Sequence, residues 1–208
     1  MARLHFGDFP GAEGLDLEAQ GWRAIRSPAG RRVYWLAALV GMVLFSGLCL
    51  LLILWSYAVS GRGGYATMGE SAAPWRSLLV VLVVYIPLHE LLHLLGQPGW
   101  GRSEQSVIVL WPARLRFGVY YEGCMSRRRW LGMRLAPTIV LSVLPAALLA
   151  LMKLWPHSVE VEIGLQELML VNTLGSGGDV IAALLVLRRV PPAGQLCFRA
   201  GRAYWRSA

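Results

Sequence analysis

Four long runs of apolar residues divide the chain, and each is long enough to cross a membrane as a helix. A transmembrane helix needs about 20 predominantly apolar residues, and the first run alone has 29 residues without a charge. The pattern therefore predicts an all-α integral membrane protein with four transmembrane helices. The predicted spans are residues 33–61, 75–96, 135–152 and 167–187.

The connection between the second and third predicted helices has a different pattern. Ser106–Trp111 is rich in β-branched and aromatic residues, and Arg114–Tyr120 alternates polar and apolar positions. Pro112 lies between these two runs, and two short β-rich runs around a turn residue are typical of a hairpin. We therefore expect a small β-hairpin-like loop between helices 2 and 3.

The composition supports a membrane protein. Hydrophobic residues make up 56% of the chain, and charged residues only 15%. A soluble globular protein carries about 25% charged residues, and a disordered chain combines low hydrophobicity with high charge. The mean hydropathy is +0.50. These values exclude an ordinary soluble enzyme and an intrinsically disordered protein.

The positive charges predict the orientation of the helices. The net charge is +8, and 17 of the 20 Lys and Arg residues fall on one side of the four-span arrangement. Because cytoplasmic loops carry an excess of basic residues, we expect both termini and the loop at 97–134 to be cytoplasmic. The predicted partner of this charge is the lipid bilayer, with no nucleic acid. The predicted organisation is a cytoplasmic tail at 1–32, a membrane domain at 33–190 and a basic cytoplasmic tail at 191–208.

The three cysteines, Cys49, Cys124 and Cys197, are far apart and odd in number. That usage is typical neither of a disulfide framework nor of a thiolate zinc site.

The second predicted helix contains the sequence His89-Glu90-Leu91-Leu92-His93, an H-E-x-x-H motif. On a helix, residues four apart share one face, so the two imidazoles can bind one zinc ion. Glu90 lies to one side, where it can act as a general base on an attacking water. A structural cluster of polar side chains is the alternative interpretation. Ionisable side chains inside a membrane cost at least about 2.5–3.5 kcal/mol each, which favours a functional site.

Asp179 is the candidate third metal ligand. It is the only charge inside the fourth predicted helix, and catalytic zinc sites have three protein ligands. His5 and His157 are poor candidates, because one lies in a tail and the other in a loop on the far side of the membrane. The alternative is that Asp179 pairs with an arginine. The small residues at 175–178 would allow this helix to approach the H-E-x-x-H helix closely.

Asn172 is a further candidate site residue. It lies seven residues before Asp179, two helical turns away on the same face. Its amide could donate a hydrogen bond to the oxyanion of a tetrahedral intermediate. It could equally form a hydrogen bond between helices without a part in catalysis, and the sequence leaves both interpretations open.

These motifs resemble those of a known family. The H-E-x-x-H helix, the segments Met125–Arg127 and Ala136–Pro137, and the sequence Ser176–Asp179 together resemble the zincin-like integral membrane peptidases of bacteria. The resemblance covers about residues 75–190. A more distant resemblance is to the site-2 proteases, although Asp179 is followed here by Val180 and not by glycine.

The resemblance implies metal ligands at His89, His93 and Asp179, with Glu90 as the base. It also implies a bacterial inner-membrane location. We expect a zinc-dependent peptidase that cleaves a peptide or a membrane protein. The alternatives are a membrane protein that binds metal without catalysis, for stability or sensing, and an ion transporter, because intramembrane acids and histidines also line ion pathways.

Overall fold

The computed structural model describes residues 2–7, 17–25, 31–61, 64–65, 74–111, 116–199 and 202–207. Most of these residues are helical. A π-helical segment at Ile139–Val143 joins the third and fourth helices, and a short 3₁₀ turn follows the second at Pro98–Gly101. The helices are α1 (Arg31–Ser60), α2 (Pro74–Gly96), α3 (Arg127–Thr138), α4 (Leu144–Met152), α5 (Val159–Gly175) and α6 (Gly177–Arg189).

The described residues contain seven strands in two sheets, which is more β structure than the all-α prediction with one hairpin allows. The first sheet has the order β1-β3-β4, with β1 parallel to β3, and the second has the order β2-β7-β6-β5. The strands are β1 (Arg3–Phe6), β2 (Arg23–Ala24), β3 (Ser106–Trp111), β4 (Arg116–Tyr121), β5 (Cys124–Ser126), β6 (Gln195–Arg199) and β7 (Arg202–Arg206).

The predicted hairpin is confirmed: β3 and β4 pair antiparallel, with Ser106 opposite Tyr121. Pro112, which was expected to separate the strands, lies outside the described residues. The two segments predicted as tails also contribute strands, since β1 and β2 come from residues 1–32 and β6 and β7 from residues 191–208. The domain boundaries at 32 and 190 stay a prediction.

The chain divides into two compact units. The first, which we call the sheet unit, contains residues 1–29, 90–136 and 179–208. Its main core joins the sheet residues Met125 and Leu196 to helical residues such as Trp130 and Val186. A second small core lies at Val107, Val109 and Tyr120, with Phe198 packed against it.

The second unit, the helical unit, contains residues 30–89 and 137–178. Its core consists of Leu52, Ala146, Leu149 and Met169. Glycines allow close helix packing here, as expected for membrane helices. A Cβ atom on Gly177 would overlap the backbone carbonyl of Ala37 on α1.

In the part of the chain that the structure describes, two helical segments are long and apolar enough to cross a membrane, Arg32–Ser60 and Arg127–Met152. The fourth predicted span is not a single straight helix. It consists of α5 and α6, which are bent by 51° relative to each other at their junction. If this bent pair crosses the membrane as one unit, it is a third candidate span. The second predicted span forms α2, whose apolar part among the described residues is the shorter segment Val83–Gly96. The finding is therefore two or three candidate spans, and four spans are not confirmed.

The cysteine prediction was wrong for one pair. Cys124 on β5 lies opposite Cys197 on β6, with their Cα atoms 4.2 Å apart, and the two form a disulfide. The register of these antiparallel strands joins residues separated by 73 positions. Sequence spacing carries no signal for such a pairing. Cys49 is free.

Candidate metal centre

The H-E-x-x-H motif lies in the last two turns of α2. The helix continues without a break from Pro74 to Gly96, so His89 and His93 lie one turn apart on the same side. Both imidazoles are buried, with exposed fractions of 7% and 4%. Buried imidazoles need hydrogen-bond partners, and each of these has one at Nδ1.

The partner of His93 is a backbone carbonyl. Nδ1 of His93 lies 2.9 Å from the carbonyl oxygen of Met133 on α3. Because a carbonyl oxygen only accepts, Nδ1 carries the hydrogen and donates it. The other ring nitrogen, Nε2, lies 3.2 Å from Oδ2 of Asp179. A neutral imidazole with this tautomer presents a lone pair at Nε2, which is the form that binds a metal ion.

The partner of His89 is Asn172 on α5. Nδ1 of His89 lies 3.0 Å from Oδ1 of Asn172. The orientation of the amide follows from its other contacts, because Nδ2 of Asn172 donates to the carbonyl oxygen of Pro137 and to Oγ of Ser142. Oδ1 is therefore the acceptor and Nδ1 of His89 is the donor, so in the neutral ring Nε2 of His89 carries the lone pair.

These contacts bear on the two interpretations of Asn172. The side chain is fully buried, and both of its amide hydrogens are donated within the protein. No amide hydrogen is left for an oxyanion. The geometry corresponds to the interhelical hydrogen bond and does not support the predicted catalytic contact. Ser142, which accepts one of these bonds, lies in the π-helical segment, and such segments are frequent at functional sites.

Asp179 lies in the first turn of α6, where a carboxylate is stabilised by the helix dipole. Its side chain is 9% exposed. Oδ1 of Asp179 accepts a hydrogen bond of 2.7 Å from Nη1 of Arg134, and Oδ2 faces His93. Both sequence interpretations of this residue therefore hold in part, since it pairs with an arginine and also lies beside the motif.

The three predicted ligands come together. The metal-binding atoms of His89, His93 and Asp179 all lie within 4.8 Å of one another, and α2 itself fixes His89 relative to His93. Two imidazole nitrogens and one carboxylate oxygen form a donor set that zinc accepts. The lone pair at Nε2 of His93 and Oδ2 of Asp179 would repel each other at 3.2 Å unless a proton or a cation lies between them. These residues therefore fit a bound metal ion.

Glu90 is not part of this group of three. Its Oε2 accepts a hydrogen bond of 2.8 Å from the backbone N–H of Val119 on β4, and its side chain is half-buried. A small cavity of about 30 Å³ in the sheet unit is lined by His93, Val119, Tyr120 and Arg134, among others. Burial and the nearby Glu122 carboxylate raise the pKa of Tyr120, so its hydroxyl stays protonated and donates to Glu122.

Sequence reasoning missed three contributors to this site. The carbonyl of Met133 and the N–H of Val119 are backbone groups, which leave no signal in a sequence. Arg134 did leave one: it is the last arginine before the third apolar run, and a buried carboxylate such as Asp179 needs a cationic partner.

Comparison with known proteins identifies the family. Residues 82–194 match the family model described as "Putative zincin peptidase". No curated protein and no solved structure shows significant similarity to the chain. The match covers more than half of the 208 residues and includes both the H-E-x-x-H motif and Asp179. The chain therefore belongs to this zincin peptidase family.

Proposed function

We propose that this protein is a membrane-embedded zinc peptidase that hydrolyses peptide bonds in a peptide or a membrane protein. The observation that carries the proposal is the division of roles within one helical turn. His89 and His93 share a group of metal-binding atoms with Asp179, whereas Glu90 lies outside that group and contacts the edge of a sheet. A purely structural metal site needs no carboxylate in that position.

The ligands in the proposal are Nε2 of His89, Nε2 of His93 and Oδ2 of Asp179. Zinc, when bound, supplies a Lewis acid that activates water and polarises a carbonyl group. Met133 and Asn172 hold the two imidazoles in the tautomer that ligation needs. Arg134 holds the other oxygen of Asp179, which leaves Oδ2 for the metal ion.

Glu90 is the general base in this proposal. Its carboxylate takes a proton from the attacking water as the water oxygen bonds to the carbonyl carbon. It then gives that proton to the leaving amine nitrogen as the C–N bond breaks. The hydrogen bond from the N–H of Val119 orients the carboxylate and stabilises its charged form.

The substrate in this proposal binds as an added strand on β4. This strand pairs with β3 on one side only, so it is an edge of its sheet among the described strands. Val119, on the outer side of β4, contacts Glu90. An extended peptide that hydrogen-bonds to this edge would bring one of its peptide groups beside Glu90 and His93.

The proposal includes a four-span protein in the inner membrane of a bacterium. Both termini and the loop at 97–134 are then cytoplasmic, and the bilayer is the partner. Supporting observations are the apolar segments Arg32–Ser60 and Arg127–Met152 and the bent pair α5 and α6. The distribution of arginine supports the orientation.

The test combines zinc content with cleavage. We expect about one zinc per wild-type protein by elemental analysis in detergent, with loss of zinc in His93→Ala and Asp179→Asn. Glu90→Gln should keep zinc and lose at least about 10²-fold in cleavage of a model membrane substrate, because general-base catalysis contributes roughly 10²–10⁴-fold. His157→Ala is the matched control, since this histidine lies outside the centre and should change neither quantity.

The same variants separate the proposal from its rivals. If Glu90→Gln cleaved as fast as wild type, the general-base mechanism would be wrong. If wild-type protein bound zinc and cleaved nothing, the metal would serve stability or sensing. Absence of zinc from the wild type, with proton- or ion-dependent transport in vesicles, would favour the transporter.

A further inference from the structure

A second cavity in the sheet unit is lined by Arg134, the residue that donates to Asp179. Its volume is about 170 Å³, and its walls are mostly apolar, with Trp130, Val186 and Phe198 among them. Drug-sized ligands occupy pockets of roughly 300–1,000 Å³, so this cavity suits a group the size of one side chain. The charged residues that line it are Arg134 and Arg202, and none of its described lining residues is acidic.

Arg134 connects this cavity to the metal centre. Its Nη1 donates to Asp179, and the residue also lines the small cavity that contains His93 and Val119. The Nε of Arg134 is buried and has no hydrogen-bond partner among the described residues. The guanidinium lies 5.6 Å from the ring centroid of Trp130, a cation–π contact that restricts its position. Arg134 therefore lines both cavities, and its Nε remains available as a hydrogen-bond donor.

The two arginines that line this apolar cavity would be stabilised by a bound anion. Asp179 offsets the charge of Arg134, but the buried Nε of Arg134 has no described partner, and such a donor costs free energy. The charge of Arg202 has no acidic partner among the described lining residues of the cavity. Arg202, on β7, is exposed and reaches the same cavity from another element. Guanidinium groups bind carboxylates in a planar, two-pronged geometry, so a carboxylate in the cavity would meet both needs.

We infer that this cavity is a subsite for a carboxylate group of the substrate, bound by Arg134 and Arg202 beside the metal centre. The inference rests on the proposed peptidase function and names its substrate class, which is peptides with a carboxylate close to the cleaved bond. That carboxylate belongs either to an acidic side chain or to a free C-terminus. An anionic lipid offers a phosphate instead, but a cavity of about 170 Å³ that is lined by the arginine bound to Asp179 favours a small group on the molecule being cleaved.

The test measures binding in the absence of turnover. The full-length Glu90→Gln protein, in uncharged detergent with zinc, is titrated into short apolar peptides that carry a neutral fluorophore, and fluorescence anisotropy gives Kd. The reference peptide has an amidated C-terminus and contains glutamine, so it carries no carboxylate. A second set of peptides has glutamate in place of glutamine, one position at a time. A third peptide has the reference sequence with a free C-terminus. We expect one carboxylate peptide to bind roughly 10- to 100-fold more tightly than the uncharged peptide, as hydrogen bonds to charged groups imply.

The variants locate that preference. Arg202→Gln should reduce it, and Arg134→Gln should abolish it. Arg128→Gln should leave it unchanged, because Arg128 is exposed on α3 and lines neither cavity. None of the described contacts joins Arg202 to His89, His93 or Asp179, so its variant tests the subsite even if Arg134→Gln fails to fold. Equal affinity for all peptides, or a preference that Arg202→Gln does not change, would overturn the inference.

Two further outcomes separate the possible causes. If phosphatidylglycerol added to the detergent removes the preference and phosphatidylcholine does not, the cavity binds lipid phosphate and the peptide subsite is wrong. If the wild type cleaves all the peptides equally well, the carboxylate subsite is wrong, whereas the proposed peptidase function is supported. A carboxylate preference in a protein that binds no zinc and cleaves nothing would support the cavity as an anion site and overturn the peptidase.

Discussion

Nδ1 of His89 lies 3.0 Å from Oδ1 of Asn172, so a residue of α5 sets the orientation of a candidate metal ligand on α2. The amide of Asn172 is itself held by Pro137 and Ser142, and its oxygen also accepts from Oγ of Ser176. Such outer contacts fix the tautomer and the ring orientation of a ligating histidine. In this protein the network is complete and buried.

We therefore expect Asn172→Ala to weaken metal binding. The change removes the acceptor of His89 and leaves the ring free to rotate, and loss of such a contact typically costs 10- to 100-fold in metal affinity or activity. The measurement is zinc affinity by competition with a chelator. Thr173→Ala is the control, because Thr173 is equally buried but hydrogen-bonds only to carbonyls of its own helix among its described contacts. If Asn172→Ala bound zinc as tightly as the wild type and Thr173→Ala do, Asn172 would have no part in the centre.

A second prediction concerns the glycines before Asp179. A Cβ atom on Gly177 would overlap the carbonyl oxygen of Ala37, whereas a Cβ on Gly178 would meet nothing within 4 Å. Gly177→Ala should therefore destabilise the protein by about 1–3 kcal/mol, the usual cost of overpacking. Gly178→Ala should be neutral, or stabilising by up to about 1 kcal/mol, because alanine favours a helix. Thermal unfolding in detergent compares them, and the same midpoint for both variants would contradict the close packing.

The grouping of His89, His93 and Asp179 could be predicted from the sequence because its signals are local. The H-E-x-x-H spacing places His89 and His93 on one face of any helix, and Asp179 is conspicuous as a lone charge in an apolar run. The pairing of β3 with β4 was equally accessible, since both strands lie within about 16 residues.

The remaining structure depends on contacts between distant parts of the chain. β1 pairs with β3 across about 100 residues, and Cys124 pairs with Cys197 across 73. Neither pairing leaves a periodic or spacing signal. The bend between α5 and α6 occurs where four small residues interrupt the fourth apolar run. Their effect on close packing was predicted, but their effect on the direction of the helix was not.

The third prediction is a pH dependence at the α4–α5 connection. A hydrogen bond with the carbonyl of Trp155, and then the buried Glu162 carboxylate, raise the pKa of His157 above its usual 6.5. A raised pKa means that this histidine stabilises the folded state fully below about pH 6.5, and that the contribution is lost as the pH rises through the raised value. Lys153 also binds Glu162, at 3.3 Å, so part of the pairing persists at high pH.

His157→Gln should remove this dependence. Unfolding midpoints between pH 5.5 and 8.5 should fall with rising pH in the wild type by a few degrees more than in the variant, since a partly exposed ion pair contributes on the order of 1 kcal/mol. His5→Gln, on β1, is the matched control and should follow the wild type. Parallel curves for the wild type and His157→Gln would rule out a contribution from this histidine.

The last prediction tests the orientation in the membrane. Seventeen of the 20 basic residues lie on the predicted cytoplasmic side, so the C-terminal segment and the α4–α5 connection should face opposite compartments. Ser207 and Ser158 are both exposed, and serine to cysteine is a small change. In a chain whose three native cysteines are replaced by serine, an impermeant thiol reagent added to cells with an opened outer membrane should label Ser158→Cys. It should label Ser207→Cys only after the inner membrane is permeabilised. Labelling of Ser207→Cys alone in sealed cells would reverse the orientation. Labelling of both variants would mean that the two segments share one side and that α5 and α6 do not together form a single span.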